Sequence, residues 1–314
     1  MRYLVTGGAG FIGSHLVEHL IDRGEDVVVL DNLSTGREQN IAPFLEHIEF
    51  IQGSILDTET CARAARGVDY VLHQAAIPSV PRSAADPIGT HAANTTGTLN
   101  MLIAARDAEV KRFVYAASSS AYGDTTELPK HEAIIPKPLS PYAVQKYTGE
   151  CYCRAFYATY GLQTVALRYF NIFGPRQDPN SLYAAVIPRF ITNAVTNEPP
   201  TIYSDGNQTR DFTNVKNAVH ANMLATTAQD EALGEVYNVG CGSRISVNDL
   251  WERIKENVGA TVKPNYQPKR PGDVRDSLAS LERAEQYLGY RPVVEFEEGL
   301  LETIAYFAPQ VANR

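Results

Sequence analysis

The feature that most limits the fold is the even alternation, over the first half of the chain, of short apolar runs with longer segments of helical periodicity. Such alternation belongs to parallel strands joined by crossover helices. Tyr3–Thr6, Asp26–Asp31, Ile48–Gln52, Tyr70–His73, Phe113–Ala117 and Thr164–Tyr169 read as strands. Several are nearly all apolar, as strands covered by helices on both faces must be. Helical spacing runs through Phe11–Arg23, Asp57–Arg66, His91–Ala108 and Pro141–Tyr160. The pattern predicts an α/β protein with a doubly wound parallel sheet.

After Asn171 the texture changes. Turn-rich segments such as Asp178-Pro179-Asn180 and Glu198-Pro199-Pro200 separate shorter helical patterns at Ala184–Thr196, Val215–Ala228, Val247–Asn257 and Leu281–Leu288, and Pro268–Val274 reads as a loop. Residues 1–170 are therefore expected to form the doubly wound domain. Residues 171–314 are expected to form a smaller mixed α/β domain, with some later segments free to return to the first. No flexible linker marks the boundary, so the two parts are expected to close around one cleft.

Composition excludes several classes of function. With 44% hydrophobic and 20% charged residues over 314 positions, the chain has the makeup of a folded globular protein. Its 28 basic against 36 acidic residues give a net charge of −8, which argues against gripping a nucleic-acid backbone. The four cysteines, Cys61, Cys151, Cys153 and Cys241, have neither a disulfide-scaffold pattern nor the spacing of a zinc site, so no metal is expected. Cys151 and Cys153, two apart on a helix, point to different faces and read as packing residues. The chain runs from Met1 straight into a strand without a charged leader, and no apolar stretch of about 18 residues occurs. The expectation is a cytoplasmic protein with no membrane partner.

Gly7-Gly8-Ala9-Gly10-Phe11-Ile12-Gly13 follows the first strand and opens the first helix. It can be read as Gly8-x-Gly10-x-x-Gly13 or as Gly7-x-x-Gly10-x-x-Gly13. Either supplies a tight turn, bare backbone beside a pyrophosphate, and close packing of helix on strand, with free N–H groups aimed at the anion. This is the dinucleotide fingerprint of a Rossmann sheet. Asp31 ends the second strand, where a carboxylate accepts from the adenosine ribose and repels a 2′-phosphate, so NAD is favoured over NADP. The polar loop Asn32-Leu33-Ser34-Thr35-Gly36 follows it.

Tyr142 and Lys146 stand four residues apart, one helical turn, and so project from one face. A free phenol, with a pKa of about 10, is a poor base at neutral pH, but an adjacent ammonium and an oxidised nicotinamide both favour its ionised form. The strand Phe113–Ala117 runs into Ser118-Ser119-Ser120 at the carboxyl edge of the sheet, where ligands of such folds sit.

Together these residues resemble the extended branch of the short-chain dehydrogenase/reductase superfamily, in which a Ser or Thr, a Tyr and a Lys hold the reacting hydroxyl, move its proton and bind the nicotinamide ribose. Further segments narrow the likeness: Asp31–Gly36, His73-Gln74-Ala75-Ala76, Ser118–Gly123, Arg168-Tyr169-Phe170-Asn171, Thr209-Arg210-Asp211-Phe212 and Arg270-Pro271-Gly272-Asp273. In that order they resemble the nucleotide-sugar 4-epimerases. Gln74–Ser83 and Tyr183–Pro188 are similar to the bacterial UDP-N-acetylglucosamine 4-epimerases.

The resemblance implies Ser118 as catalytic serine, Tyr142 as acid and base, and Lys146 as orienting cation. It implies cofactor contacts at Gly7, Gly10, Phe11, Ile12, Gly13, Asp31, Asn32, Ser34, Thr35, Gly36, Gln74, Ala75, Ala76, Asn94 and Phe170, with Ser54 and Ile55 flanking the adenine. For a UDP-sugar substrate it implies Ser79, Ser119, Asn171 and the Val186 backbone as contacts. Arg210 and Arg270 would clamp the diphosphate, Asp273 would accept from the ribose, and Ser277 would form the wall beside C2. A doubly anionic diphosphate needs cationic forks, which fits the two arginines. Serine at 277 leaves space for an N-acetyl group, while Pro78 departs from the small flexible residue of the N-acetyl-specific enzymes. The helices around His91–Ala108 and Pro141–Tyr160 resemble those that pair in this family into a four-helix homodimer interface.

Two related chemistries need groups this chain lacks. A 4,6-dehydratase carries an Asp-Glu pair where Ser119 and Ser120 stand, and UDP-glucuronate decarboxylases usually carry Glu at the place of Ser120. UDP-glucuronate epimerisation, decarboxylation and non-catalytic NAD sensing are the alternatives.

Overall fold

The computed structural model describes residues 1–178, 186–269 and 274–312. Its first half runs β1 (Arg2–Thr6), α1 (Phe11–Asp22), β2 (Asp26–Asp31), β3 (Ile48–Gln52), α2 (Thr58–Ala65), β4 (Tyr70–His73), α3 (Val80–Ala85), α4 (Pro87–His91), α5 (Gly97–Asp107), β5 (Arg112–Ser118), α6 (Pro141–Tyr160) and β6 (Thr164–Tyr169). Strands β2, β3, β4 and β6 begin and end where the apolar runs do. Val27, Val28, Val29 and Leu30 of β2 are all buried, because both faces of the sheet are covered. One face packs on Leu16, Val17 and Leu20 of α1. The other packs on Ala64 and Ala65 of α2, Met101, Leu102 and Ala105 of α5, and Phe156 of α6.

The second half follows as β7 (Ile172–Phe173), α7 (Val186–Thr196), β8 (Thr201–Tyr203), β9 (Thr209–Arg210), β10 (Thr213–Asn214), α8 (Val215–Thr226), β11 (Glu235–Val239), β12 (Ile245–Ser246), α9 (Val247–Val258), β13 (Asn265–Gln267), α10 (Glu282–Leu288) and α11 (Phe296–Ala312). The main sheet is seven-stranded, in the order β11-β6-β5-β4-β1-β2-β3. All its pairs are parallel. The order reverses between β1 and β4, and the crevice beyond their carboxyl ends is where a Rossmann sheet takes its ligand.

The sheet therefore continues past Phe170. β11 pairs with β6 from Glu235↔Val165 to Val239↔Tyr169. Ala218 and Ala221 of α8 and Ala284 and Leu288 of α10 join the core on the α1 side. A separate core forms from Phe190 and Ile191 of α7, Trp251 and Ile254 of α9, and Ile304 and Phe307 of α11. Three two-stranded pairs border it: β7 with β10, β8 with β13, and β9 with β12.

One helical expectation is corrected, and one helix is new. The pattern His91–Ala108 is not one α-helix: between α4 and α5 the residues Ala92–Thr96 form a π-turn that buries Asn94. The Asn94 side chain reaches out of the turn to Ile77 and Gln145, and π-turns of this kind gather at functional sites. Helix α11, with Gly299 and Pro309 inside it, had no counterpart in the sequence reading. The expected loop at 268–274 falls partly at 270–273, outside the described residues, as does the expected helix start at Ala184. Among the described residues no helix is long and apolar enough to cross a membrane.

Candidate active site

The glycine loop leaves β1 with no space for side chains. A Cβ on Gly13 would stand 2.1 Å from the Gly7 carbonyl oxygen, and one on Gly10 3.0 Å from the same atom. Gly7 has φ +68°, and a Cβ there would meet the Ala75 backbone at 2.8 Å. The loop thus lies directly on the segment that leaves β4. Buried His73 fastens that segment from below: its ring nitrogens contact Thr6 Oγ1 at 2.8 Å and Thr98 Oγ1 at 3.1 Å. Burial lowers its pKa to about 3, so it stays neutral. Phe11 and Ile12 open α1 beside the bare loop. This concave run of backbone, without Cβ atoms and ending at a helix N-terminus, fits a pyrophosphate.

Asp31 ends β2 as expected. Its oxygens accept from the Ala9 N–H at 3.0 Å and the Leu33 N–H at 2.8 Å, which oppose the rise in pKa that burial causes. Each carboxylate oxygen keeps a second lone pair for a ribose hydroxyl. Gly36 is required at its place because a Cβ would lie 2.8 Å from Asp31 Oδ2. Asn32 closes a turn by accepting from the Ser34 N–H, and Ser34 and Thr35 are exposed. Beyond β3, Ser54 accepts from the Leu56 N–H, and buried Ile55 packs against Gly97, with no room there for a larger residue. Ala75 and Ala76 continue the chain from Gln74 towards Ile77, whose N–H donates to Asn94 Oδ1 at 2.7 Å. Asn94 also donates to Gln145 at 2.8 Å, so its side chain holds this loop in shape.

The three residues expected to be reactive, Ser118, Tyr142 and Lys146, sit at the end of β5 and on α6. Ser140 caps α6 by accepting from the Ala143 N–H, Pro141 starts the helix, and Gly161 at φ 73° ends it. Tyr142 is thereby fixed in the first turn, where its own N–H donates to Ser83 Oγ at 3.0 Å. Ser118 Oγ accepts from the Ser120 N–H at 3.2 Å and from the Ser120 hydroxyl at 2.8 Å. With both lone pairs occupied, Ser118 has its proton left to donate. Burial raises the Tyr142 pKa, and a hydrogen bond with Ser118 pulls it back down. Lys146 is buried, donates to the Ala116 carbonyl at 2.8 Å and lies 5.2 Å from the centre of the Tyr115 ring. Burial lowers its pKa to about 8 while the Glu150 carboxylate opposes the shift. One turn further on, buried Glu150 binds Arg168 of β6 through two hydrogen bonds of 2.9 and 2.6 Å.

The residues expected to meet the substrate come mostly from loops. Asn171, at φ 36°, donates to the Asp211 carbonyl at 3.1 Å. Arg210 Nη1 donates to the Thr209 and Arg275 carbonyls and Nη2 to that of Val274 at 2.8 Å. The Ser277 N–H donates to the Thr209 carbonyl at 3.1 Å, so Ser277 and Arg210 share one tie. Val186 is the first residue of α7. Buried Phe170 packs its ring on Tyr122, 6.1 Å away. Ser79 caps α3 through the Arg82 N–H, and Ser119 opens the turn after Ser118. Arg270 and Asp273 lie outside the described residues.

The profile described as "NAD dependent epimerase/dehydratase family" matches residues 3–240. The chain belongs to this family. It is 39% identical over 303 residues to the "Putative UDP-glucose 4-epimerase" of Methanocaldococcus jannaschii, covering 96% of each chain. The solved UDP-glucose 4-epimerase of Thermotoga maritima with UDP-glucose superposes with a TM-score of 0.94 at 39% identity, covering 99% of this chain and 100% of that one. The UDP-N-acetylglucosamine 4-epimerase of Methanobrevibacter ruminantium M1, in complex with UDP-N-acetylmuramic acid, gives 0.93 at 40% identity and 98% coverage of both. A more distant relative, UDP-glucuronic acid decarboxylase 1 of Xenopus tropicalis, is 33% identical over 318 residues, covering 100% of this chain and 73% of that one.

Within this NAD-dependent family framework, several supporting residues escaped the sequence reading. Glu150 extends the Tyr142–Lys146 ladder by another four residues and could have been found by that spacing. Its partner Arg168 could not, because only the sheet brings β6 beneath α6. Ser83 lay inside a quoted motif without a role, and it is the residue that fixes the Tyr142 backbone.

Proposed function

We propose that this chain is an NAD-dependent UDP-hexose 4-epimerase, an isomerase that inverts C4 through a transient 4-keto sugar. Its expected substrates include UDP-GlcNAc and UDP-GalNAc as well as UDP-glucose and UDP-galactose. One observation carries the reading: Ser118, Tyr142 and Lys146 meet at the end of β5, with Ser119 and Ser120 in place of the carboxylates that related chemistries need.

Tyr142 takes the proton of the sugar 4-hydroxyl and returns it to the same oxygen after the ring has presented its other face. Ser118 donates its free proton to that oxygen and holds the ketone. Lys146, one helical turn from Tyr142, supplies a positive charge that favours the phenolate. Bound NAD supplies the acceptor and donor of the C4 hydride, with no net oxidation. Asn171 and the Val186 backbone contact the UDP, Arg210 and Arg270 clamp the diphosphate, and Asp273 accepts from the ribose. Ser79 and Ser119 line the sugar pocket, and Ser277 leaves room beside C2.

The deciding assay supplies purified protein with each of the four UDP-hexoses and no added NAD. C4 epimers are the expected products. Tyr142→Phe should lose turnover while retaining NAD, and near-normal epimerisation by that variant would overturn the assignment. The decarboxylase relative makes UDP-glucuronate the second substrate to offer. Pentose and CO₂ as main products would replace this reading, whereas Ser120 argues for their absence. Tight NAD with no turnover on any sugar would make the chain an NAD-sensing protein. Val144 on α6 is exposed, as is Cys151, and this outer face with that of α5 is the proposed homodimer surface in a cytoplasmic enzyme. Light scattering at the mass of one chain would remove the dimer.

A further inference from the structure

Three side chains from distant parts of the chain close a ring of hydrogen bonds under the cofactor loop. Gln74 Nε2 donates to Asn222 Oδ1 at 3.1 Å. Asn222 Nδ2 donates to Tyr169 Oη at 2.6 Å. Tyr169 Oη donates to Gln74 Oε1 at 3.3 Å. Each member thus both gives and receives within the ring. Asn222 is fully buried on α8 and also donates to the Ala218 carbonyl at 2.7 Å, which fixes its amide on the helix.

The ring joins the two strand ends that matter for hydride transfer. Gln74 is the first residue beyond β4, and its N–H donates to the Thr6 carbonyl at the end of β1. The next residue, Ala75, is the one on which Gly7 rests. Tyr169 is the last residue of β6, paired in register with Ser118. The bond between Tyr169 and Gln74 therefore spans from the cofactor loop, past the end of β5, to the strand beside the reactive serine. Asn222 holds both from a helix that touches neither the glycine loop nor Tyr142 in any hydrogen bond described above.

We infer that Asn222 is a positioning residue for the cofactor: through Gln74 and Tyr169 it sets the place of the Gln74–Ala76 loop relative to Ser118, and so the grip on NAD. This rests on the reading of Gln74–Ala76 as part of the cofactor cradle. Removing the Asn222 amide leaves half-buried Gln74 and buried Tyr169 with unmatched donors and acceptors. Such groups relax by moving, and here movement displaces the loop.

The test compares release of bound NAD from purified Asn222→Ala, Tyr169→Phe and the double variant, followed as free NAD after dilution. Each single variant should release NAD about fivefold to tenfold faster than wild type. The double should be no faster than the faster single, because one ring is broken once. Tyr169→Phe deletes a single oxygen and keeps the assay decisive should Asn222→Ala fail to fold. The control is Asn217→Ala on the same helix. Asn217 is equally buried but donates to the Val294 carbonyl and accepts from the Val293 and Val294 N–H groups, away from the loop. It should lower the melting temperature without changing NAD release. Wild-type release from folded Tyr169→Phe, or equal acceleration by Asn217→Ala, overturns the inference. A Gly13→Ala protein that keeps its NAD would instead overturn the cradle reading beneath it.

Discussion

The glycine turn after β1 is shaped by side chains that are absent, whereas the loops beside Arg210 and Ser277 hang on one buried carboxylate. At Gly7, Gly10 and Gly13 backbone lies against backbone, so the surface offered to an anion is made rigid by contacts that a single methyl group would break. In the second half of the chain, Asp211 accepts from the N–H groups of Cys241 at 2.8 Å, Gly242 at 3.1 Å and Ala279 at 3.1 Å. It thereby ties the segment after β9 to the turn after β11 and to the chain before α10. The first construction depends on shape and is indifferent to pH. The second depends on a titratable group, and so it can be loosened without touching the glycine turn.

Gly13→Ala should break the first construction most severely. Its Cβ would sit 2.1 Å from the Gly7 carbonyl oxygen and 2.8 Å from Gly8 Cα, both backbone atoms that cannot turn aside. The loop must open, and with it the cradle. NAD retained through purification should fall by more than about tenfold, equivalent to at least about 1.4 kcal/mol of binding. Extraction and quantification of NAD read the result directly, and full occupancy in the variant would mean that shape does not set the grip.

Asp211→Asn tests the second construction. Burial raises the Asp211 pKa from 3.8 to about 6. Between these values the folded protein holds more protons than the unfolded chain, so this group's contribution to stability falls as pH rises through the window. At 1.36 kcal/mol per pKa unit the swing is on the order of 3 kcal/mol. The variant cannot titrate there, and its amide offers one acceptor to three N–H donors. It should be less stable than wild type at both ends. The gap should narrow from pH 4 to pH 7, because the wild type loses the stability of its protonated carboxyl over that range. Melting temperatures across the range measure this, and a gap that stays constant would place the titration elsewhere.

The same contrast explains what could be read in advance. Strand β2 and helix α6 were legible because their causes are local: Val27–Leu30 form an apolar run, and Ser140, Pro141 and Gly161 punctuate a helix. The glycine turn was legible because glycine spacing is itself the geometry. Strand β11 was not, since Glu235–Val239 carries Asn238, a fully buried polar residue whose cost is met by Tyr122, Lys130 and Ser280 from other segments. Asp211 lay in a quoted motif, but its partners are backbone N–H groups, which every sequence has. The π-turn at Ala92–Thr96 follows from Asn94 reaching Gln145, a pairing visible only once α6 packs against it. Residues that act through tertiary partners leave no periodicity to find.

Ser277 is where the pinned second half should show itself in specificity, in an effect confined to two of the four sugars. Its N–H bond to the Thr209 carbonyl fixes the backbone, and Thr209 is itself held by Asp276 through a 2.6 Å hydrogen bond. A larger side chain at 277 therefore has little freedom to carry the wall backwards. Ser277→Tyr should crowd the space beside C2, and overpacking of that kind costs about 1–3 kcal/mol. If the cost falls only on the acetylated sugars, kcat/KM for UDP-GlcNAc and UDP-GalNAc drops by roughly 5-fold to 150-fold. UDP-glucose and UDP-galactose, with a bare hydroxyl at C2, should change little. Equal activity on all four sugars would remove Ser277 from the specificity wall. Equal loss on all four would show that the wall moves as a unit with Arg210, to which it is tied through Thr209.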